Sequence, residues 1–386
     1  MLLSIGIISV ASIVWEGPAS PISDGMTRTL ETMAEAVVEG DRGAYMALVN
    51  PADEKFLTEQ RAWFDDLTRN SVESFSIEPS EVLRYGPAFS PAVIAVKYQW
   101  VLERDGIERS FESRIRLTPM NRNADGPWLF SGRDWDVIQS SPETELRVYA
   151  DQQHGELAEG VFEITPGILS RIESEFGEAL SEPLSIKIYP TMQELQFSIA
   201  PGYLDPLSGW NEPGESIKVL GRDEVSAERI STLLAHEIGH AVSFEFGEST
   251  IDAPWWTLEG IAELVADEYR SDSIQRRELR VAKQVARGDR RTWEQLSDFK
   301  GEALNHTGYV YAHGWSMIRF ITKRFGAEAR NNWFTQMGHG ESIESATQSV
   351  FGISFEQLDE MWESEMLRLA QESESDAERE RATPQP

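Results

Sequence analysis

Residues 233–242 read Leu-Leu-Ala-His-Glu-Ile-Gly-His-Ala-Val, two histidines around a glutamate in an otherwise apolar run. Ser226, with an acid following in the first turn, is a natural N-cap, and Gly247 is a natural stop, so the stretch predicts one helix. Four residues apart, His236 and His240 project from one helical face and can reach a single ion. Glu237 lies about 100° round the helix, beside that face, where it can touch a water at the ion without ligating the ion itself. The competing reading is a buried helix with three awkward polar residues. What decides between them is whether the chain supplies the rest of a metal site. With 6 histidines and no cysteine, thiolate ligands and disulfides are excluded, and any metal must be held by imidazole and carboxylate. A catalytic zinc needs three protein ligands and an open position.

The 386 residues are enough for two or three domains, and 40 % hydrophobic content suits a globular chain with a full core. Acidic residues outnumber basic ones 65 to 35, and a formal charge of −30 repels nucleic-acid phosphates and anionic membrane surfaces, so no nucleic-acid partner is expected. The opening apolar run of residues 1–15 is shorter than the ~20 residues of a membrane span and close to a signal-peptide core, although it lacks basic residues ahead of it. Residues 1–22 are therefore read as an export signal or membrane anchor with its linker, and the protein as extracytoplasmic, secreted or membrane-anchored. A buried first helix is the alternative.

From residue 24 the apolar spacing predicts three helices, and from about residue 72 it changes to the alternation of strands, closing with "GPWLFSGRDWDVI" at 126–138. Helices followed by an antiparallel sheet make an α+β plan. The polar, turn-rich stretch 139–147 is expected to end this domain, 24–139. A second domain, 146–370, opens with a strand, a helix near 166–180, the strand "LSIKIYP", a short helix, a Gly/Pro-rich loop at 200–215 and the strand "SIKVL", and is helical from Ser226 onward. Residues 371–386, charged and without aromatics, are expected to be a disordered tail.

Residues 24–139 resemble the nuclear-transport-factor-2-like (SnoaL-like) cone, a curled antiparallel sheet with helices, most clearly in "EGDRGAYMALV" (39–49) and in the closing 126–138 stretch. Such a fold by itself assigns no activity; with no histidine and no acid/base pair in the stretch, an accessory domain is expected, and binding of a small ligand in the cone is the alternative.

Eighteen residues separate His240 from Glu259, which stands in "PWWTLEGIAELVADEY". That spacing and the W-x-x-E-G-x-A context resemble the gluzincin zinc metallopeptidases, the clan of aminopeptidase N, and in particular the peptidase-MA-like bacterial branch. The resemblance implies a mostly helical, thermolysin-like catalytic domain with a small sheet. It assigns one zinc per chain to His236, His240 and Glu259, the general base of peptide-bond hydrolysis to Glu237, and a peptide or protein substrate. Pro254 favours the first turn of the helix that carries Glu259. Ser243 and Phe246 stand where a metzincin needs Gly and His, which excludes that class. In "GYVYAHGWSMIRF", Tyr311 and Gly314 match the family's Y-x-x-G helix, whose tyrosine hydrogen-bonds the oxyanion; Tyr309 is the rival, and His313 is read as a surface or packing residue. Glu263 and Asp267 follow Glu259 at four-residue intervals and are candidates to support the ligand imidazoles. By its position, "SIKVL" resembles the edge strand with which substrate pairs in this clan. The aminopeptidases' Gly-x-Met-Glu-Asn segment is absent, leaving Glu212 or Glu215 to hold a substrate amine, so strict aminopeptidase specificity is not implied. A rival class is a zinc-bearing scaffold that binds peptides or surface ligands without turnover, and retention of Glu237 counts against it.

Overall fold

The computed structural model describes residues 21–382 apart from 86–89, 122–124, 142–143, 223–224 and 300, and describes side chains as far as residue 375. Nearly all of the expected export segment, and the last four residues, lie outside the described residues. Among the described residues no helix is long and apolar enough to cross a membrane. The chain forms two units: Met1–Trp135 with Met192–Pro206, and Asp136–Thr191 with Leu207–Pro386. The plan is α+β, with a helix-and-sheet unit first and a mostly helical unit second.

In the first unit, α1 (Asp24–Glu39) is capped by Ser23, whose hydroxyl accepts from the Met26 amide, and ends on Gly40 in the left-handed region. Its buried stripe of Met26, Leu30, Met33 and Val37 recurs at helical spacing. Two further helices follow, α2 (Arg42–Met46) and α3 (Glu54–Asp65), capped by Asp41 and Asp53. Strands β1 (Val72–Arg84), β2 (Ala92–Leu102), β3 (Glu108–Pro119) and β4 (Trp128–Arg133) form an antiparallel sheet in that order. Cross-strand partners Phe75 and Trp100, Tyr98 and Phe111, and Ile94 and Ile115 line one face and pack against the helices.

The second unit opens with β5 (Val137–Ser141) and β6 (Leu146–Ala150), followed by α4 (Gly155–Phe176) and β7 (Ser185–Tyr189). Helix α5 (Met192–Ile199) leaves for the first unit, and the chain returns in β8 (Gly209–Trp210) and β9 (Ile217–Leu220). The five strands lie in the order β5-β6-β7-β9-β8, with β6, β7 and β9 parallel and both outer strands antiparallel to their neighbours. Helices α6 (Ala227–Ser243), α7 (Trp255–Ala266), α8 (Ile274–Ala286), α9 (Thr307–Phe325), α10 (Ala327–Gly338), α11 (Ile343–Phe351) and α12 (Phe355–Ala382) complete it. A cluster of indoles ties them together: Trp256 lies 4.4 Å from Trp293, which lies 5.1 Å from Trp362.

Three elements differ from the sequence reading. The stretch 126–138 is not one strand: β4, irregular in register around Gly132 (φ 81°), ends at Arg133, and β5 starts the other sheet at Val137. Strand β9, the "SIKVL" segment, is not an edge strand, because β8 covers its outer side. Nor does the order end at residue 370, since α12 continues to Ala382. Residues 371–382 contain no Pro or Gly and are rich in Glu, Arg and Ala, good helix formers that extend a helix already anchored by buried Leu358, Trp362, Met366 and Ala370.

Candidate metal centre

Helix α6 begins as its cap predicts, with the Ser226 hydroxyl accepting from the Arg229 amide at 3.3 Å. Its buried face, Ile230, Leu234, Ile238 and Val242, belongs to the core, and this fixes which way the intervening polar residues point. Helix α7 is buried on nearly every side, so its acids Glu259 and Glu263 sit inside the protein, where a carboxylate needs a partner. Glycine lets α7 and α9 touch backbone to backbone. A Cβ on Gly260 would lie 2.6 Å from the Gly314 carbonyl, and one on Gly314 would lie 2.2 Å from the Trp256 carbonyl oxygen. This crossing brings Glu259 and Tyr311 toward the histidines of α6.

His236 Nε2 is 3.2 Å from His240 Nε2 and 3.2 Å from Glu259 Oε2, and His240 Nε2 is 3.5 Å from the same oxygen. A tetrahedral ion bound at roughly 2.0–2.1 Å holds its ligand atoms about 3.3 Å apart, so the triangle has the dimensions of a metal site. Glu259 Oε2 is buried and has no hydrogen-bond partner, whereas Oε1 accepts from the Trp255 indole at 2.7 Å. One oxygen is thus held and the other is left facing two imidazoles, which is what a ligand carboxylate requires. The donor set and its one orphaned oxygen fit a divalent cation.

The protonation tendencies agree. Burial lowers the proton affinity of His236, but the carboxylates of Glu259 and Glu263 outweigh it and hold the ring well above an ordinary histidine. Burial raises Glu259, but His240 and His236 prevail and hold it far below the usual carboxylate range. The pocket therefore seeks positive charge at its centre.

Glu263 Oε1 lies 3.2 Å from His236 Nδ1, on the ring's far side from the triangle. Glu263 is itself gripped by Arg270 at 2.6 Å and Arg277 at 2.7 Å; against the effect of burial, His236 first and then the two arginines hold its pKa down to about 2. Asp267 does not reach an imidazole; it accepts from Trp315 at 2.7 Å and pairs with Arg277. Of the two acids, only Glu263 touches a ligand.

Glu237 is buried beside the triangle but is not one of its corners. Burial raises its pKa, against the pull of His236 and His240. Gly209 of β8 lies against it: a Cβ there would be 2.3 Å from Glu237 Oε1. The end strand of the sheet therefore runs past the carboxylate, and any side chain at that point would push the Glu237 carboxylate from its place.

The Tyr311 ring stacks 5.8 Å from that of His236, and burial, followed by Glu259, Glu237 and Glu263, raises the phenol well above its ordinary pKa. It stays a donor. Tyr309 faces elsewhere, donating to Asp289 at 2.7 Å. His313 is fully buried between Tyr309 and Trp362 rather than at the surface. Glu215 is taken up by buried Lys218 at 2.8 Å. Phe246, at the position of a metzincin's third histidine, packs in the core against Phe176 and Phe334.

Sequence reasoning missed Trp255, Gly209, Arg270 and Arg277. The four-residue spacing of Trp255 and Glu259 on a helix could have marked the first; the others come from distant elements and carry no local signal.

Residues 165–368, more than half of the chain, match the family model of the Peptidase MA superfamily. No curated protein matches the chain.

Proposed function

The chain belongs to the Peptidase MA superfamily, and from that premise we propose that it is a zinc-dependent peptidase of gluzincin type, with His236, His240 and Glu259 as ligands and Glu237 as general base. The observation that carries this reading is the triangle of two Nε2 atoms and one unpaired Oε2 at 3.2–3.5 Å, with a separate buried carboxylate beside it. A purely structural site has no use for that fourth group.

When bound, the metal supplies Lewis acidity: it lowers the pKa of a water and polarises the scissile carbonyl. Glu237 takes the proton of the attacking water on its carboxylate and passes it to the leaving amine nitrogen. Burial favours its protonated form, which eases the first of these transfers, uptake of the water's proton. The Tyr311 hydroxyl donates to the carbonyl oxygen as negative charge develops, and one such donor is worth roughly 2.7–4 kcal/mol. Glu263, 3.2 Å from His236 Nδ1, supports that ring by charge rather than by an aligned hydrogen bond.

Substrate pairs along β8, the end strand that passes Glu237, as an added strand. With Glu215 committed to Lys218, one of the two acids available to bind a terminal amine is removed, which favours cleavage within peptides over strict removal of amino-terminal residues. Metal analysis beside hydrolysis of a mixed peptide library, read by mass spectrometry, tests the proposal. About one zinc per chain, lost in His240→Ala together with cleavage, is the expected result; equal zinc in both proteins contradicts the ligand assignment.

A further inference from the structure

The segment between β7 and β8 is covalently part of the peptidase half yet belongs, from Met192 to Pro206, to the first unit. It is seated there as a bound peptide would be. Leu195 and Ile199 of α5 are buried. Phe197, half-buried, lies ring to ring with five aromatics of α3 and the sheet: Trp63 at 5.5 Å, Phe75 at 6.3 Å, Tyr98 at 5.0 Å, Trp100 at 4.9 Å and Phe111 at 5.0 Å.

The polar groups of this seat are directed at main chain. The Trp63 indole donates to the Phe197 carbonyl at 2.7 Å, the Trp100 indole to the Pro201 carbonyl at 3.1 Å, and Arg104 to the Gly202 carbonyl at 2.7 Å. These carbonyls lie in the last turn of α5 and just beyond it, where a helix leaves its acceptors unsatisfied. Glu194 adds an ion pair with Arg133. Gly202 presses on Asn70 so closely that a Cβ would stand 2.2 Å from the Asn70 Cβ. An aromatic pocket for one side chain, combined with donors to backbone carbonyls, is how folded domains recognise short peptide segments.

We propose that the aromatic face of the first unit is a docking site for residues 192–206 of this same chain, and that Phe197 held there is a positioning residue for peptide binding. The link is chain continuity. Three residues after Pro206 comes Gly209, the residue of β8 that lies against Glu237, and the next residue, Trp210, pairs with Lys218 of β9. Only Leu207 and Ser208 separate Pro206 from this two-residue strand, so holding the segment restricts the freedom of the chain that enters β8. The same seat fills the aromatic face with the chain's own phenylalanine, so this face is committed to a peptide rather than to a free small ligand. The inference about catalysis rests on the reading that substrate pairs along β8; the docking itself does not.

The experiment compares the full-length protein with Phe197→Ala by hydrogen exchange and by peptide kinetics. Exchange at the amides of 207–211 and at Leu220, whose N–H donates to Ser208, is expected to rise at least about tenfold while α6 and α7 stay protected and metal content is unchanged. KM for peptides is expected to rise about tenfold with kcat within roughly twofold, the pattern of lost ground-state binding. Phe197→Leu, which refills part of the pocket, restores both. Exchange at 207–211 equal to wild type overturns the proposal. Should Phe197→Ala not fold, Gly202→Ala displaces the segment through Asn70 without opening the aromatic cluster and is read in the same way. If wild type cleaves no peptide, the peptidase reading fails on its own account, and the exchange measurement still decides whether the segment is docked.

Discussion

The Trp255 indole donates to Oε1 of Glu259 at 2.7 Å, and the other oxygen of that carboxylate, Oε2, faces Nε2 of both His236 and His240. The two residues are four apart on α7, so the hydrogen bond is built into the helix and fixes the carboxylate's rotation. Partners of this kind typically contribute 10- to 100-fold to metal affinity. Trp255→Phe, which keeps the ring contacts with Phe299 and Tyr311 but removes the donor, is expected to weaken zinc binding by about tenfold. Competition with a chelator of known affinity measures it.

Glu263 sits between one ligand ring and two guanidinium groups. Replacing it by Gln leaves Arg277 buried without its full countercharge, and breaking a buried pair costs about 3–5 kcal/mol. Glu263→Gln is therefore expected to lower stability in denaturant unfolding and also to weaken zinc binding. Asp267→Asn shares the stability loss through Arg277 but, having no contact with an imidazole, leaves metal affinity near that of wild type.

Neither ring nitrogen of His313 has a hydrogen-bond partner among the described residues. Burial, aided by Arg290 and Arg291 and opposed by Asp289, pushes its pKa down from 6.5 to about 4. Between those values the unfolded chain takes up a proton that the folded chain refuses. Stability that is complete above about pH 6.5 is thus lost as the pH falls toward 4, by up to ~3 kcal/mol. His313→Leu is expected to flatten this part of the stability profile, measured as the difference between variant and wild type in unfolding experiments from pH 4 to 7.

The crossing of α7 and α9 tolerates no side chain at its centre. Gly314→Ala puts a methyl group 2.2 Å from the Trp256 carbonyl oxygen, a backbone atom that cannot swing aside. Overpacking of this kind costs about 1–3 kcal/mol, and here it also separates Glu259 from Tyr311. Thermal unfolding is expected to show a lower midpoint, and kcat to fall with it.

What could be read from the sequence follows a simple physical division. His236 and His240 share a face because a helix turns every 3.6 residues, and Ser226 caps because its hydroxyl is three residues from an orphan amide. Such relations are local and need no fold. Glu259 joins them across a gap of 18 residues only because α7, rich in apolar residues on every side, must be buried, and it packs against α6. The departure of 192–206 into the first unit was not readable, because "TMQELQFSI" carries an ordinary helical pattern that does not say what it packs against. Nor was the place of β8: two residues, Gly209 and Trp210, are too few for any periodicity, yet they displace β9 from the edge of the sheet. Trp135 and Asp136, where the two units part, fall inside an alternation that looks continuous because β4 buries every second residue and β5 alternates half-buried with exposed ones.

Glu237 carries the chemistry in this account and does not bind the metal, and a single substitution separates the two duties. Glu237→Gln preserves shape and removes the base. The most direct measurement is zinc content and peptide-library cleavage by Glu237→Gln beside wild type. Zinc at the wild-type level with hydrolysis reduced by roughly 10²–10⁴-fold is the predicted result; cleavage at the wild-type rate with zinc in place would contradict the assignment of Glu237 as the base.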